Sequence, residues 1–379
     1  MADIHGTCDD RLEAVRGALA QNVDSGAETG ASIAVDLDGE IAADMWGGYT
    51  DEARTRPWER DTITNVWSTT KTVTSLAALM LVDRGELDVD APVARYWPEF
   101  AANGKQDVLV RNVLGHTSGV SGLEQPAVTE DLYDWEKCTS RYAAQAPWWE
   151  PGSASGYHAI NFGHLVGEIL RRITGMSLKE FVAAEIAGPL GADFQVGAVQ
   201  GDWDRIADVT PPPPLPFDLA AVGMDSPAVK TLTGPLVAAE EANTPGWRRA
   251  DIGGANGHGN ARSVARILSV VSRGGELDGI RLVRPQTLDL IFREQSDGVD
   301  LVLGVPLRYG IGYGLPCRDT IPYIPDGKIC FWGGWGGSVI IMDLDRRMTI
   351  AYMMNKMAGG IIGSDRAEQY VRAIYAAVG

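Results

Sequence analysis

Residues 66–82 read Val-Trp-Ser-Thr-Thr-Lys-Thr-Val-Thr-Ser-Leu-Ala-Ala-Leu-Met-Leu-Val, a short polar start followed by an apolar run. The run from Val73 to Val82 is typical of a buried helix. Ser68 and Lys71 are three residues apart, so they share one face of that helix. A serine hydroxyl needs a neighbouring base to become a strong nucleophile, and burial can lower the pKa of a lysine until it serves as that base. The stretch fits a serine nucleophile at a helix N-terminus, where free N–H groups favour developing negative charge, but equally an ordinary helix start with an exposed lysine.

Composition excludes several classes of protein. The chain has 379 residues, of which 45% are hydrophobic, so it is globular and long enough for a large core. A net charge of −17 argues against nucleic acid or an anionic membrane surface as a partner. The first residues lack the basic and apolar regions of a signal peptide, and no run of 18 apolar residues follows. We therefore expect a cytoplasmic protein with a small-molecule partner; the sequence gives no indication of oligomeric state.

The cysteines and histidines carry no pattern of a metal site. The four cysteines include no CxxC pair, and without a secretion signal we expect free thiols. The five histidines form no HExxH or similar spacing, so we expect neither a metal nor a cofactor. The cysteines are Cys8, Cys138, Cys317 and Cys330.

Predicted strands come from both ends of the chain. Asp38-Gly39 lies between two apolar runs, which is a strong hairpin signal. The segments between residues 72 and about 270 have mostly helical patterns separated by loops rich in Pro and Gly. The predicted strands are 31–37, 40–46, 329–332, 338–343 and 348–354, and the predicted helices include 10–23, 161–173, 261–272 and 365–377.

This order predicts an α+β fold, in which an antiparallel sheet flanked by helices carries an all-helical insertion. We place the sheet domain at residues 1–70 and 262–379 and the helical domain at residues 71–261. The proline run 210–216 cannot form a regular helix or a central strand, and it begins an irregular stretch to about residue 259. Such a stretch is either a lid or binding loop, or a plain surface excursion.

Two further segments suit a hydrolase with this serine and lysine. Tyr157 follows a loop rich in Gly and Ser, and near a lysine its phenolate can act as general base and then protonate a leaving group. Residues 331–338 read Phe-Trp-Gly-Gly-Trp-Gly-Gly-Ser, and glycines in a strand mark the close approach of a backbone or ligand. Such an edge can lend one N–H to an oxyanion hole, with the Ser68 N–H as the other donor.

Taken together, these residues resemble the serine β-lactamase/penicillin-binding-protein superfamily, and most closely its family VIII carboxylesterases. The resemblance extends over nearly the whole chain, and several motifs in the right order carry it. They are residues 66–71, 83–93, the turn 113–119 with its His-Thr-Ser-Gly sequence, the tyrosine segment 151–159, residues 309–314 and residues 331–338.

The resemblance implies a fold like that of class C β-lactamases, with the active site between the sheet domain and the helical domain. It implies that Ser68 is the acylated nucleophile and that Lys71 and Tyr157 share the base role, although which of them deprotonates Ser68 stays open. It also implies that Trp332 and Gly334 occupy the third motif, that the Trp335 N–H is the second oxyanion donor, and that His116 is a hydrogen-bonded scaffold residue.

Two departures from the superfamily pattern narrow the expected substrate. Trp332-Gly333-Gly334 replaces the Lys-Thr-Gly motif, so the cation that holds a substrate carboxylate is lost. Ala159 replaces the asparagine of the Tyr-x-Asn motif. Both changes favour a neutral ester over an anionic β-lactam or a D-Ala-D-Ala peptide. The residues predicted to bind substrate are Trp148, Trp149 and His158, with core packing as an equal alternative for the two tryptophans.

The leading hypothesis is therefore a carboxylesterase that acts on small to medium acyl groups through an acyl-Ser68 intermediate. An acyltransferase, an amidase or a weak β-lactamase would use the same site, and a catalytically inactive binding protein could share the fold. An α/β-hydrolase is disfavoured, because the chain contains no Gly-x-Ser-x-Gly elbow.

Overall fold

The computed structural model describes residues 2–214 and 223–379, and in that part of the chain two larger sheets and one hairpin account for the strands. Numbered in chain order, the strands are β1 (Ile4–Cys8), β2 (Gly30–Leu37), β3 (Glu40–Gly48), β4 (Ile63–Asn65), β5 (Phe194–Val196), β6 (Ile206–Ala207), β7 (Gly257–Gly259), β8 (Glu276–Leu277), β9 (Ile280–Arg281), β10 (Ser296–Val299), β11 (Pro306–Tyr309), β12 (Gly314–Leu315), β13 (Ile329–Gly333), β14 (Val339–Asp343) and β15 (Met348–Met354).

The α-helices come mostly from the middle of the chain. In chain order they are α1 (Glu13–Ser25), α2 (Thr70–Asp83), α3 (Val110–Leu114), α4 (Trp135–Ala144), α5 (Phe162–Thr174), α6 (Leu178–Phe181), α7 (Gly188–Leu190), α8 (Pro227–Thr233), α9 (Pro245–Arg249), α10 (Ala261–Ser272), α11 (Pro285–Asp289) and α12 (Asp365–Val378). Short 3-10 segments and a π-helical turn at Val182–Ala187 connect several of them.

The main sheet is antiparallel throughout, with the strand order β1-β3-β2-β15-β14-β13-β12-β11-β10. Strands β14 and β15 are buried along their whole length, because helices cover both faces of the sheet. Helix α10 packs on one face against β2, β14 and β15. Helices α1 and α12 pack together, and their apolar side chains join the core on the other face. Covered faces explain why these strands read as continuous apolar runs rather than alternating ones.

The hairpin predicted at Asp38-Gly39 is confirmed. Leu37 pairs with Glu40, and the two turn residues have φ angles of 54° and 91°. Positive φ at both central positions is the geometry of a type I′ turn, which matches the right-handed twist of the flanking strands. The Gly39 N–H also donates to Asp36 Oδ1 at 2.9 Å, which fixes the turn to the end of β2.

The predicted α+β fold is confirmed, and each predicted strand and helix coincides with an observed one to within a few residues. The sequence did not indicate β1 or the strands β10, β11 and β12, which are short edge-side strands with exposed or glycine-containing segments. The middle of the chain also contains β5, β6 and β7, which join β4 in a four-stranded sheet beside the helices. The domain boundaries drawn from the sequence stay a prediction.

The stretch after the proline run is more regular than predicted. It contains α8, α9 and β7, with Ser226 and Thr244 as the N-caps of the two helices. Capping side chains satisfy N–H groups that a short helix leaves free, so helices can form in a segment that lacks a long apolar period. The end of the proline run, residues 215 and 216, lies outside the described residues, as do residues 217–222.

Three observations concern membranes, metals and thiols. None of the described helices is long and apolar enough to cross a membrane. Within residues 2–214 and 223–379, no group of three or more acidic, His or Cys side chains is placed to hold a metal ion. All four cysteines are free thiols, and three of them are buried.

A buried ion pair attaches α12 to the main sheet. Arg366 Nη1 lies 2.5 Å from the Glu28 carboxylate, and both side chains are at least nine-tenths buried. The Tyr352 hydroxyl donates to the other oxygen of Glu28, and Arg366 also donates to the carbonyls of Ala27 and Lys356. Removing one partner of such a pair leaves an uncompensated buried charge.

We expect Arg366→Ala to lower the free energy of unfolding by about 3–5 kcal/mol, because Glu28 would lose its cation. The matched control is Arg372→Ala on the same helix, whose ion pair with Glu368 is half exposed and should contribute less than about 1 kcal/mol. Urea unfolding followed by circular dichroism measures both. Equal losses in the two variants would contradict the structural role given to the buried pair.

Candidate active site

Ser68 and Lys71 are brought together at the start of α2. Ser68 precedes the first residue of the helix, and Lys71 Nζ lies 2.9 Å from Ser68 Oγ. The Lys71 N–H also donates to the Ser68 carbonyl at 3.0 Å, so the turn itself fixes the spacing of the pair. Every residue from Thr70 to Leu81 is buried, which makes the lysine part of the core rather than of the surface.

Two backbone carbonyls complete the surroundings of the Lys71 amine. They belong to Ala159 and Gly254, at 2.6 and 2.7 Å from Nζ. A neutral amine has two N–H donors and one lone pair, so with both donors on the carbonyls the lone pair is available to the Ser68 hydroxyl. Burial lowers the pKa of Lys71 well below its ordinary value, and no carboxylate among the described residues pairs with it to oppose that effect. The geometry and the pKa both favour a general base.

The residue before the nucleophile has a strained backbone. Trp67 has a φ of 49°, in the left-handed region that bulky residues rarely adopt. Its ring is held between Trp247 and Trp335, with ring centres 5.5 and 5.1 Å away. Strained conformations of this kind persist only where the surrounding packing enforces them, and they concentrate at functional sites. The packing of Trp67 therefore fixes the position of the next residue, Ser68.

Tyr157 lies beside the lysine. Lys71 Nζ is 4.7 Å from the centre of its ring, and Trp332 Nε1 donates to the Tyr157 hydroxyl at 3.0 Å. Burial raises the pKa of Tyr157, and hydrogen bonds to Ser68 and Trp332 oppose part of that rise. A tyrosine held in its protonated form next to a serine nucleophile is placed to give a proton to a departing group.

Two neutral histidines lie near Tyr157, outside the cavity lining. The His116 ring centre lies 5.1 Å from that of Tyr157, and its Nδ1 accepts the His158 N–H at 3.1 Å. His158 is fully buried, with Nε2 bound to Ser118 at 2.6 Å and Nδ1 bound to the Gly156 carbonyl at 2.7 Å. Burial lowers the pKa of His116 well below its usual range and that of His158 to about 4. Both rings therefore hold the tyrosine segment in place without carrying charge.

The glycine-rich segment after β13 packs directly against the nucleophile turn. A Cβ on Gly334 would lie 2.5 Å from the Val66 carbonyl oxygen, so only glycine permits this approach. Ser338 Oγ donates to the same Val66 carbonyl at 3.1 Å and lies 3.1 Å from Thr69 Oγ1. These contacts hold Trp335, the residue predicted to supply the second oxyanion donor, beside Ser68.

A cavity of about 580 Å³ opens onto these residues. Ser68, Tyr157, Trp67 and Trp335 form its reactive side. The rest of the lining is mostly aliphatic, and no charged residue belongs to the lining in the described part of the chain. The aliphatic residues include Leu232, Leu236, Val302, Leu303, Ile361 and Ile362.

The structure places Trp148, Trp149 and His158 outside this lining. Trp149 is half-buried, and its Nε1 donates to the Ala154 carbonyl at 3.0 Å. Trp148 is half-buried too and packs beside Gly122. Both ring nitrogens of His158 are occupied by protein partners. This placement argues against the predicted substrate contacts, and it favours the packing alternative for the two tryptophans.

Several groups at the site were not indicated by the sequence. The carbonyls of Ala159 and Gly254 bind Lys71 through the backbone, which has no side-chain signature. The pair Gly253-Gly254 before β7 was the available signal, because a Cβ on Gly254 would lie 2.3 Å from the Ile160 carbonyl oxygen. Asp300, whose carboxylate accepts the Tyr157 N–H, lies in a segment with no motif.

Comparison with known proteins identifies the family of this chain. The sequence matches the Beta-lactamase family over residues 15–372. The chain belongs to the Beta-lactamase family. The resemblance seen in the motifs is thereby confirmed.

Its relatives include esterases. The chain is 33% identical over 380 residues to "Esterase/beta-lactamase LipL" of Mycobacterium tuberculosis, with 96% of this chain and 86% of that protein covered. A solved family VIII carboxylesterase is 37% identical, with a TM-score of 0.93 over 99% of this chain and 100% of that chain. A penicillin-binding protein homologue from Caulobacter crescentus is also 37% identical, with a TM-score of 0.90 over the same shares of the two chains.

The rate at which a fluorophosphonate labels Ser68 should rise with pH, because Lys71 must lose its proton to accept that of the serine. Since burial lowers the pKa of Lys71, we expect the midpoint to lie well below 10.5. Intact-protein mass spectrometry measures the rate. Lys71→Arg should label slowly at every pH, because a guanidinium stays protonated; labelling of this variant at the wild-type rate would rule out Lys71 as the base.

Trp332→Phe should slow the labelling of Ser68 roughly 10-fold, which corresponds to one lost hydrogen bond to the Tyr157 hydroxyl. The aromatic ring is retained, so packing changes little. Trp135→Phe is the matched control, since Trp135 also donates through Nε1, to Glu168 at 2.8 Å in the helical region. Similar rates for the two variants would show that the Trp332 hydrogen bond does not act on the site.

Proposed function

We propose that the protein is a carboxylesterase that cleaves esters of small to medium acyl groups through an acyl-Ser68 intermediate. The observation that carries this proposal is the 2.9 Å contact between Ser68 Oγ and the buried Lys71 amine, at the edge of an uncharged cavity. Nucleophile and base within hydrogen-bond reach are the mark of covalent catalysis by serine.

In the acylation step, Ser68 Oγ attacks the ester carbonyl carbon while its proton passes to the Lys71 amine. The backbone N–H groups of Ser68 and Trp335, two residues that line the cavity, are the proposed donors to the oxyanion. When the tetrahedral intermediate collapses, the C–O bond to the alcohol breaks, and Tyr157 gives its hydroxyl proton to the departing oxygen. The ammonium of Lys71 then returns a proton to Tyr157, so the pair regains its starting state.

Deacylation uses the same groups. Water attacks the acyl carbon and gives a proton to Lys71, the bond between the acyl carbon and Ser68 Oγ breaks, and the serine oxygen recovers a proton. The product is a carboxylic acid, which leaves a site whose lining offers no cation to hold a carboxylate. An uncharged, aliphatic lining binds neutral acyl groups well and anionic products poorly, which favours release.

The cavity also supports the choice of substrate class. Its volume of about 580 Å³ lies in the range of small-molecule sites, and the lining is mostly aliphatic. In the sequence, Trp332-Gly333-Gly334 replaces the Lys-Thr-Gly motif that would hold a β-lactam carboxylate, and the Trp332 indole N–H donates to the Tyr157 hydroxyl. The esterase names of the relatives support the same conclusion. A cytoplasmic location is part of this proposal and depends on the sequence alone.

Ser68→Ala should abolish both the hydrolysis of p-nitrophenyl butyrate and the covalent adduct with a fluorophosphonate, because the attacking oxygen is lost. Intact-protein mass spectrometry and the release of nitrophenol measure these effects. The matched control is Ser75→Ala, a buried serine on the same helix that bonds to the Gly312 carbonyl at 2.8 Å. Ester hydrolysis retained in Ser68→Ala would overturn the proposal, as would a wild-type protein that forms no adduct with either reagent.

A further inference from the structure

We propose that Asp300 is a positioning residue. It holds Tyr157 at a fixed position relative to the cavity wall against which the acyl group would pack. The inference rests on the proposed function, because it assigns Asp300 to the same reaction. The residue belongs to none of the motifs that carry the family resemblance.

A single carboxylate oxygen of Asp300 collects three backbone donors. Asp300 Oδ1 accepts the N–H of Tyr157 at 3.1 Å and those of Val302 and Leu303 at 2.9 Å each. Asp300 is completely buried, and it forms no ion pair with any described residue. A buried charge must be stabilised by hydrogen bonds or by a counter-charge, so these three N–H groups are what keep the carboxylate in place.

The three donors come from two different parts of the site. Tyr157 is the proposed proton donor to the leaving alcohol, whereas Val302 and Leu303 line the cavity. The Leu301 N–H also donates to the Ser155 carbonyl at 2.8 Å, so the two segments are joined at a second point. Asp300 thus fixes the distance between the proton donor and the wall against which an acyl chain would pack.

The charge of Asp300 also acts on the tyrosine. It adds to burial in raising the pKa of Tyr157, and it contributes to the raised pKa of the buried Tyr309. The other titratable groups packed around Tyr157 are Lys71, His116 and Tyr309, with His158 beyond His116. Replacing the carboxylate with a neutral acceptor should therefore lower the pKa of Tyr157 while leaving an oxygen for the N–H donors.

Two substitutions separate these effects. Asp300→Ala removes the acceptor, and we expect kcat for p-nitrophenyl butyrate to fall about 10- to 100-fold, because small misplacements of a reacting group have effects of that size. The ratio of kcat/KM for the butyrate ester to that for the acetate ester should change as well, because Val302 and Leu303 in the cavity wall would lose the carboxylate that holds them. Asp300→Asn removes the charge but keeps an oxygen for the three N–H donors, so it should recover most of the kcat and most of the wild-type ratio that Asp300→Ala loses.

The control is Asp36→Asn, the same change at another buried carboxylate that accepts a backbone N–H, at the end of β2. Thermal unfolding is followed in parallel, and rates are compared at temperatures where each variant is folded. The inference is overturned if Asp300→Ala, once folded, keeps the wild-type kcat and the wild-type preference between butyrate and acetate. If Asp300→Ala does not fold, Asp300→Ser, in which one shorter hydroxyl replaces the carboxylate, is measured by the same criterion.

Failure of the proposed function would be recognised separately. A wild-type protein that hydrolyses neither ester refutes the esterase proposal before any variant is compared. In that case the labelling rate of Ser68 by a fluorophosphonate still tests Asp300, since labelling depends on the same geometry. Equal labelling rates in wild type and folded Asp300→Ala would then overturn the inference.

Discussion

The 2.9 Å contact between Ser68 Oγ and the buried Lys71 Nζ is the interaction on which the rest of the structure depends. Burial without a counter-charge favours the neutral form of the amine. The two N–H groups of the neutral amine still need hydrogen-bond acceptors, and these acceptors must be uncharged if the pKa of the lysine is to stay low. The carbonyls of Ala159 and Gly254 are such acceptors, and they come from two segments far apart in the chain. Both segments must approach α2 closely, and the glycines before β7 make that approach possible.

A second constraint follows from the first. The nucleophile can face the amine only if the chain turns sharply before the helix, which places Trp67 in a strained conformation. The rings of Trp247 and Trp335, which contact the Trp67 ring in tilted and edge-on arrangements, oppose relaxation of that strain, and Gly334 lets the end of β13 reach the turn. The aromatic groups around Ser68 therefore have a mechanical role as well as forming part of the cavity.

The sequence predicted the helices and strands whose buried apolar residues form long runs or recur at a regular spacing. The helix that carries Lys71 and the strands β14 and β15 are long apolar runs, and they were placed to within a few residues. The edge-side strands were not predicted, because their pairing comes from the sheet rather than from their own composition. The same distinction applies at the site. Side-chain motifs pointed to Ser68, Lys71 and Tyr157, which the structure brings together. The backbone carbonyls that bind Lys71 could not be predicted in this way, because every residue type has a carbonyl.

Nearness in the chain was a poor guide to the lining of the cavity. His158 is adjacent to Tyr157, yet it lies outside the lining, and its two ring nitrogens are bonded to Ser118 and to the Gly156 carbonyl. The cavity wall is formed instead by residues such as Leu232 and Val302, from segments without recognisable motifs. Their contribution depends on the tertiary arrangement alone.

The groups around Ser68 come from segments spread between residues 67 and 338, and none of these segments forms the site without the others. Ser68 and Lys71 are neighbours on one helical turn, but the groups that surround the pair, among them the Gly254 carbonyl and the Trp332 indole, arrive only when the distant segments have folded against α2. Reactivity toward an acylating reagent is consequently a property of the finished tertiary structure. A chain arrested during synthesis, or cut between these segments and separated, would contain the same serine, lysine and tyrosine, but they would not react with an acylating reagent.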